Sequence, residues 1–257
     1  MYNLAFSSSG VLFATHVGVL AYLQDNKIKI KNYSGTSGGA IVACWGANNL
    51  PARELLKLTV QFGYTKFFTK FSLMPGGLFD HSIFGKIISA YCKPRKNLWI
   101  VTFNLLKMKK QIWNGENFNL SKILTATTSI PGLFKPVVYS NGLHVDGIFA
   151  KYCPDDLWND GKTISVKLKC KNKTKSRYPF DKMVHKIEKA GLTFLEYIQS
   201  RDMSWHVPTV YVEPDLNSIS QLDLFSVKTE DHIEMFNLGY ESAKQICNGI
   251  SSEASKK

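Results

Sequence analysis

The chain has 257 residues, 44% of them hydrophobic and 20% charged, with a formal net charge of +12. Such a length and apolar content support a sizeable core and exclude an intrinsically disordered chain, and length favours one large domain or two small ones. The basic balance suggests attraction to anionic surfaces, either acidic lipid headgroups or nucleic acid, and says nothing about the fold.

In chain order, residues 2–6 read as a short strand and Ser7-Ser8-Ser9-Gly10 as a turn. Over 11–23, Leu12, Phe13, Val17, Leu20 and Leu23 recur with helical spacing, which predicts a buried helix. The apolar run 10–23 is shorter than the ~20 residues a bilayer span needs. "KIKIKNYSG" (27–35) alternates as a strand would, and "GGAIVACWGA" (38–47) predicts a closely packed helix. Pro51 opens a helix over 51–62. A buried strand is expected over 97–105, a helix over 120–130 ending before Pro131, and a strand over 162–169. Helices are expected over 181–200 and 230–248. Strands alternating with helices imply a three-layer α/β/α sandwich around a mainly parallel sheet. No repeat or linker divides the chain, so one domain over 1–250 with a frayed tail at 251–257 is expected.

Five cysteines stand far apart with no Cys-x-x-Cys pair, which argues against a disulfide framework or a zinc site. Residues 1–10 carry no basic segment of a secretory signal. Reduced thiols and a cytoplasmic location are therefore expected.

The stretch Gly35-Thr36-Ser37-Gly38-Gly39 places a serine between glycines, after a strand and before a helix. A Gly-x-Ser-x-Gly match alone arises by chance about once in ten chains of this length, so its setting decides. A strained strand-to-helix turn exposes the hydroxyl, and Gly35 and Gly39 avoid Cβ clashes. The following helix turns its amides and positive dipole end toward the site. An ordinary α/β-hydrolase needs several strand–helix units before its nucleophile, and only 36 residues precede Ser37. A second signal is Asp146-Gly147, at the end of an alternating segment. A carboxylate near pKa ~4 is a weak base for serine, and desolvation would strengthen it. A lone Asp-Gly also reads as a β-turn.

Together these residues resemble the patatin-like phospholipase family. "LAFSSSGVLFATHVGVLAYL" (4–23) is similar to its oxyanion block, "YSGTSGGAIVA" (33–43) to its nucleophile block, and "TATTSIPGLFKPV" (125–137) to the segment before the catalytic aspartate. "LHVDGIFAKYCP" (143–154) is similar to its Asp-Gly block, and "LGYESAKQI" (238–246) to its last helix. The resemblance implies Ser37 as nucleophile and Asp146 as base, a dyad without histidine. It also implies an oxyanion hole from backbone amides of Ser8, Ser9, Gly10 and Val11. The implied activity is phospholipase A-type hydrolysis of acyl-lipid esters, with no cofactor or metal required.

The departures are specific. The family's Gly-x-Gly-x-x-Gly falls on residues 8–13, where only Gly10 remains. Ser8 must then take up a conformation that glycine adopts freely, and Phe13 and Ile148 enlarge positions the family keeps small. These changes leave acyl transfer and a non-catalytic lipid-binding module as alternatives.

Among the histidines, His16 is expected to be structural, and His144 packed or at the surface rather than tuning Asp146. The lysine-rich segment 167–178 reads equally as a solvated basic loop or as a contact for an anionic membrane. The aromatic segment 64–79 reads as a core helix and turn, or as a flap that dips into lipid. No nucleic-acid-binding signature is present, so the expected partners are an acyl-lipid substrate and an anionic membrane surface, met peripherally.

Overall fold

The computed structural model describes residues 1–62, 76–160, 162–168, 210–212 and 227–254. The helix expected over 181–200, and most of the 64–79 and 167–178 segments, lie outside them.

The architecture is mixed α/β with a mainly parallel central sheet. β1 (Tyr2–Phe6) leads through a 3-10 turn (Gly10–Leu12) into α1 (Phe13–Asp25), then β2 (Ile30–Thr36) and α2 (Gly38–Ala47). After α3 (Ala52–Phe62) come β3 (Gly77–Phe79), α4 (Ser82–Tyr91) and the hairpin β4 (Leu98–Asn104) and β5 (Lys109–Asn114). α5 (Leu120–Thr127), β6 (Gly132–Phe134), β7 (Val137–Tyr139) and β8 (Gly142–Asp146) follow. β9 (Thr163–Val166), β10 (Val210–Val212) and α6 (Thr229–Ala254) complete the described chain. α6 thus runs past Asn248, where the sequence pattern ends it.

The sheet order is β10-β9-β1-β2-β4-β8-β7, with β5 also pairing β4. β10, β9, β1, β2 and β4 run parallel, and β5, β8 and β7 add antiparallel pairs. Side chains alternate across β1 as strand geometry requires. Leu4 and Phe6 join the large core formed with α1 and α2, and Ala5 joins Ile148, Tyr152 and Cys153 on the opposite face. The segment after Asp146 therefore covers the second face of the sheet. Ser34 and Thr36 bind it there through hydroxyls that donate to the Pro154 and Lys151 carbonyls at 2.8 and 2.9 Å.

α1 is buried over eleven consecutive residues, from Phe13 to Leu23, because α6 packs against its outer side. A Cβ at Gly18 would overlap the Phe236 carbonyl, so the crossing depends on glycine there. Cys44, Cys92 and Cys153 are buried thiols. No helix among the described residues is long and apolar enough to cross a membrane.

Candidate active site

The placement of Ser37 and Asp146 follows from how the two edges of β4 are used. β5 occupies one edge from Trp99 to Asn104. β2 pairs the other edge only as far as Val101, opposite Thr36. β8 then takes over that same edge in the antiparallel sense, with His144, Val145 and Asp146 opposite Asn104, Phe103 and Thr102. Two strands thus meet head to head on one edge. The C-terminal ends of β2 and β8 face each other between Val101 and Thr102, and those ends carry Ser37 and Asp146.

At the end of β2 the chain turns sharply. Ser37 has φ 54° and ψ −130°, a conformation rarely adopted by a residue with a side chain. A Cβ at Gly35 would overlap the Gly39 carbonyl, and one at Gly39 would overlap the Ser7 carbonyl, so both flanking glycines are required by close approach. α2 begins at Gly38, and its first amides have no partner within the helix.

The Ser37 hydroxyl donates to Asp146 Oδ2 at 2.7 Å. The other carboxylate oxygen accepts from the Ile148 amide at 2.9 Å, which fixes the carboxyl plane. The Asp146 amide donates to the Ser129 carbonyl at 2.9 Å. Asp146 is 1% exposed, and burial pushes its pKa up to about 7, against the opposing pull of the hydrogen bonds from Ser37 and Ile148. Ser37 is 4% exposed. Gly147 is held by the same junction, since a Cβ there would overlap the Val101 carbonyl.

One residue of this arrangement had no role in the sequence reading. Thr127, at the end of α5, donates its hydroxyl to the Val101 carbonyl at 2.6 Å and accepts the Ser37 amide at 3.0 Å. It bridges the point where β2 leaves the edge of β4. The quoted stretch 125–137 contains it, but nothing in the residue pattern singles out its hydroxyl.

The turn over residues 7–12 packs against the start of α2. A Cβ at Gly38 would overlap Ser9 Oγ and lie 3.3 Å from the Gly10 carbonyl. Gly10, the glycine that remains of the family's three, has φ 52°. Ser8 and Ser9 both lie outside the left-handed region, so the strain expected at Ser8 does not arise. The Ser8 amide donates to the Tyr152 carbonyl at 2.8 Å. That amide is engaged in holding the loop, which corrects the expectation that it faces an oxyanion. Ser9 and Gly10 are the residues of the turn that approach Gly38. Phe13 is 4% exposed and packs in the core beside Gly38. Ile148 is likewise buried, beneath the sheet with Ala5 and Tyr152.

His16 is fully buried, and its Nε2 donates to the Ser7 carbonyl at 2.9 Å. Desolvation lowers its pKa to about 3, so it stays neutral and supports the turn. His144 contacts Thr102 Oγ1 through Nδ1 and the Tyr139 carbonyl through Nε2, both at 3.2 Å, as a packed structural imidazole. Lys167, the first lysine of the basic segment, forms an ion pair with buried Asp155 at 3.0 Å.

The fold and site define an α/β protein with a serine–carboxylate pair at the C-terminal end of its parallel strands. The family model for patatin-like phospholipase matches residues 4–154, more than half of the chain. The chain belongs to the patatin-like phospholipase family, a family of lipid acyl hydrolases. Among solved structures it is similar to VipD from Legionella pneumophila, with a TM-score of 0.60 and 12% identity over 96% of this chain and 67% of that one. That likeness is one of fold.

Proposed function

We propose that this protein is a phospholipase A-type lipid acyl hydrolase that uses Ser37 as nucleophile and Asp146 as its general base. The observation that carries the reading is the 2.7 Å hydrogen bond from a strained serine hydroxyl to a buried carboxylate whose pKa is raised to about 7. Such a carboxylate is a far better base for serine than a solvated one.

Ser37 Oγ attacks the ester carbonyl carbon as its proton passes to Asp146 Oδ2. The oxyanion formed faces the first amides of α2 and the backbone of the Ser9–Val11 turn. Collapse of the intermediate breaks the ester C–O bond, and the departing alkoxide takes the proton from Asp146. Water then attacks the acyl-enzyme, giving its proton to the same carboxylate. The second collapse releases the fatty acid and returns the proton to Ser37 Oγ. One carboxylate serves both halves because it is the base in each addition and the acid in each collapse. Peripheral contact with a membrane surface would bring the ester to the site.

The test is a panel of phospholipid and glyceride vesicles assayed for released fatty acid, with Ser37→Ala as control. Release by the native protein and none by the variant supports the reading. Equal release by both, or none by folded native protein, overturns it. Adding a lysolipid acceptor separates hydrolysis from acyl transfer.

A further inference from the structure

The β4–β5 hairpin ends in a four-residue turn, Leu105–Met108. Two large apolar side chains stand in water at its tip, Leu106 at 69% exposure and Met108 at 72%. Lys107, Lys109 and Lys110 alternate with and follow them, and all three are exposed. This loop is held. Asn104 Oδ1 accepts the amides of Leu106 and Lys107 at 3.1 and 3.2 Å, and the Leu105 amide donates to the Leu143 carbonyl at 2.8 Å. Met108 takes a left-handed φ of 46° to close the turn.

The position of the tip matters as much as its composition. β4 runs parallel to β2, so both end at the edge of the sheet that bears Ser37. Thr102 lies opposite Asp146, and Leu106 is four residues further on. At about 3.3 Å per residue the tip projects up to about 13 Å beyond the level of the carboxylate. The apolar side chains therefore lead on the same end of the molecule from which a substrate would reach the dyad.

We infer that the Leu105–Lys110 hairpin is a membrane-docking element that inserts Leu106 and Met108 into the interface of an anionic bilayer while Lys107 and Lys109 bind its headgroups. The occupant follows from chemistry. Two rigidly presented apolar side chains without a pocket suit the disordered acyl–headgroup boundary rather than a soluble ligand. The lysines match a negative surface potential, as does the net charge of +12. Lys110 is partly engaged by Asp156 at 4.0 Å, which leaves Lys107 and Lys109 as the headgroup contacts. Docking here turns the C-terminal edge of the sheet toward the lipid. That orientation has catalytic meaning only under the hydrolase reading, whereas the docking itself can be measured without catalysis.

The experiment uses the full chain carrying Ser37→Ala, so that binding is read free of turnover. Sedimentation with phosphatidylcholine vesicles, with and without phosphatidylserine, is compared for this protein and for added Leu106→Ser/Met108→Ser or Lys107→Gln/Lys109→Gln pairs. These positions are exposed, and circular dichroism checks that each variant folds. The parent binds the phosphatidylserine vesicles. The apolar pair lowers that binding about ten-fold, and each lysine removed lowers it about five-fold. In the Ser37 background, Leu106→Ser/Met108→Ser lowers hydrolysis of vesicle lipid in parallel and leaves hydrolysis of a soluble short-chain ester unchanged. A parent that fails to bind, or hairpin variants that bind like it, overturns the inference, as does equal loss on soluble and vesicle substrates. Normal docking with no hydrolysis of any ester defeats the catalytic reading and leaves this one standing.

Discussion

Thr127 joins Ser37 to Val101 where β2 gives up its place on β4, donating to the Val101 carbonyl and accepting the Ser37 amide. The interstrand hydrogen bonding that would hold Ser37 in line ends at this point, and a side chain replaces it. The serine can then leave the strand direction and face Asp146 without stranding its own amide.

Thr127→Val removes both hydrogen bonds at constant volume. It leaves a buried donor and a buried acceptor unpaired, each at about 1–3 kcal/mol. The expected result is a loss of about 2–6 kcal/mol in urea unfolding and at least about a ten-fold drop in kcat. Thr127→Ser keeps the hydroxyl and should recover most of the activity.

Ser37 stores backbone strain of about 1–3 kcal/mol. Ser37→Ala and Ser37→Gly both lack the hydroxyl, so their difference isolates that strain. Glycine is expected to be the more stable by about 1 kcal/mol, after its larger unfolded-state entropy is set against the relief. Equal thermal midpoints would show a relaxed turn.

The raised Asp146 pKa makes two statements about pH. Under the proposed mechanism Asp146 acts ionised, so kcat/KM should rise with pH through an apparent pKa of about 7. Stability runs the other way. Between the ordinary 3.8 and about 7 the folded protein holds a proton that the unfolded chain has released. The contribution is complete below 3.8 and is lost as pH rises through about 7. Asp146→Asn has no such titration. Its thermal midpoint relative to the native protein should therefore improve between about pH 4 and about pH 7 and change little above that.

The turn over residues 7–12, proposed to face the oxyanion, can be tested residue by residue. Gly10 carries the left-handed φ of 52°, and the Ser8 amide is bound to the Tyr152 carbonyl. Gly10→Ala should lower kcat, by up to the roughly 10²–10³ of a lost oxyanion donor, with KM little changed. Ser8→Gly should leave kcat within about two-fold of the native value. A large gain on restoring glycine at Ser8 would contradict this account of the turn.

The parallel half of the sheet was legible because buried strands and apolar helices leave strong periodic patterns. Residues 2–6, 11–23 and 38–47 lie close to β1, α1 and α2 for that reason. β5 was not legible. It is a half-exposed strand whose Lys109 and Lys110 resemble a loop, and only its pairing with β4 gives it form. Ser37 and Asp146 could be read from the glycines around them and from the family's block order. The role of Thr127 could not, because it depends on a carbonyl freed by a change of strand partner at Val101. Ser8 misled for a related reason. A lost glycine signals strain only where the backbone occupies the left-handed region, and here Gly10 alone of residues 8–10 does so.

The most direct test of the dyad is labelling of the folded protein with a fluorophosphonate, followed by peptide mass spectrometry. The probe should attach to Ser37, fail on Ser37→Ala, and react far more slowly with Asp146→Asn. Attachment at another residue, or an Asp146→Asn protein that labels as fast as the native one, would contradict the claim that these two side chains form one catalytic unit.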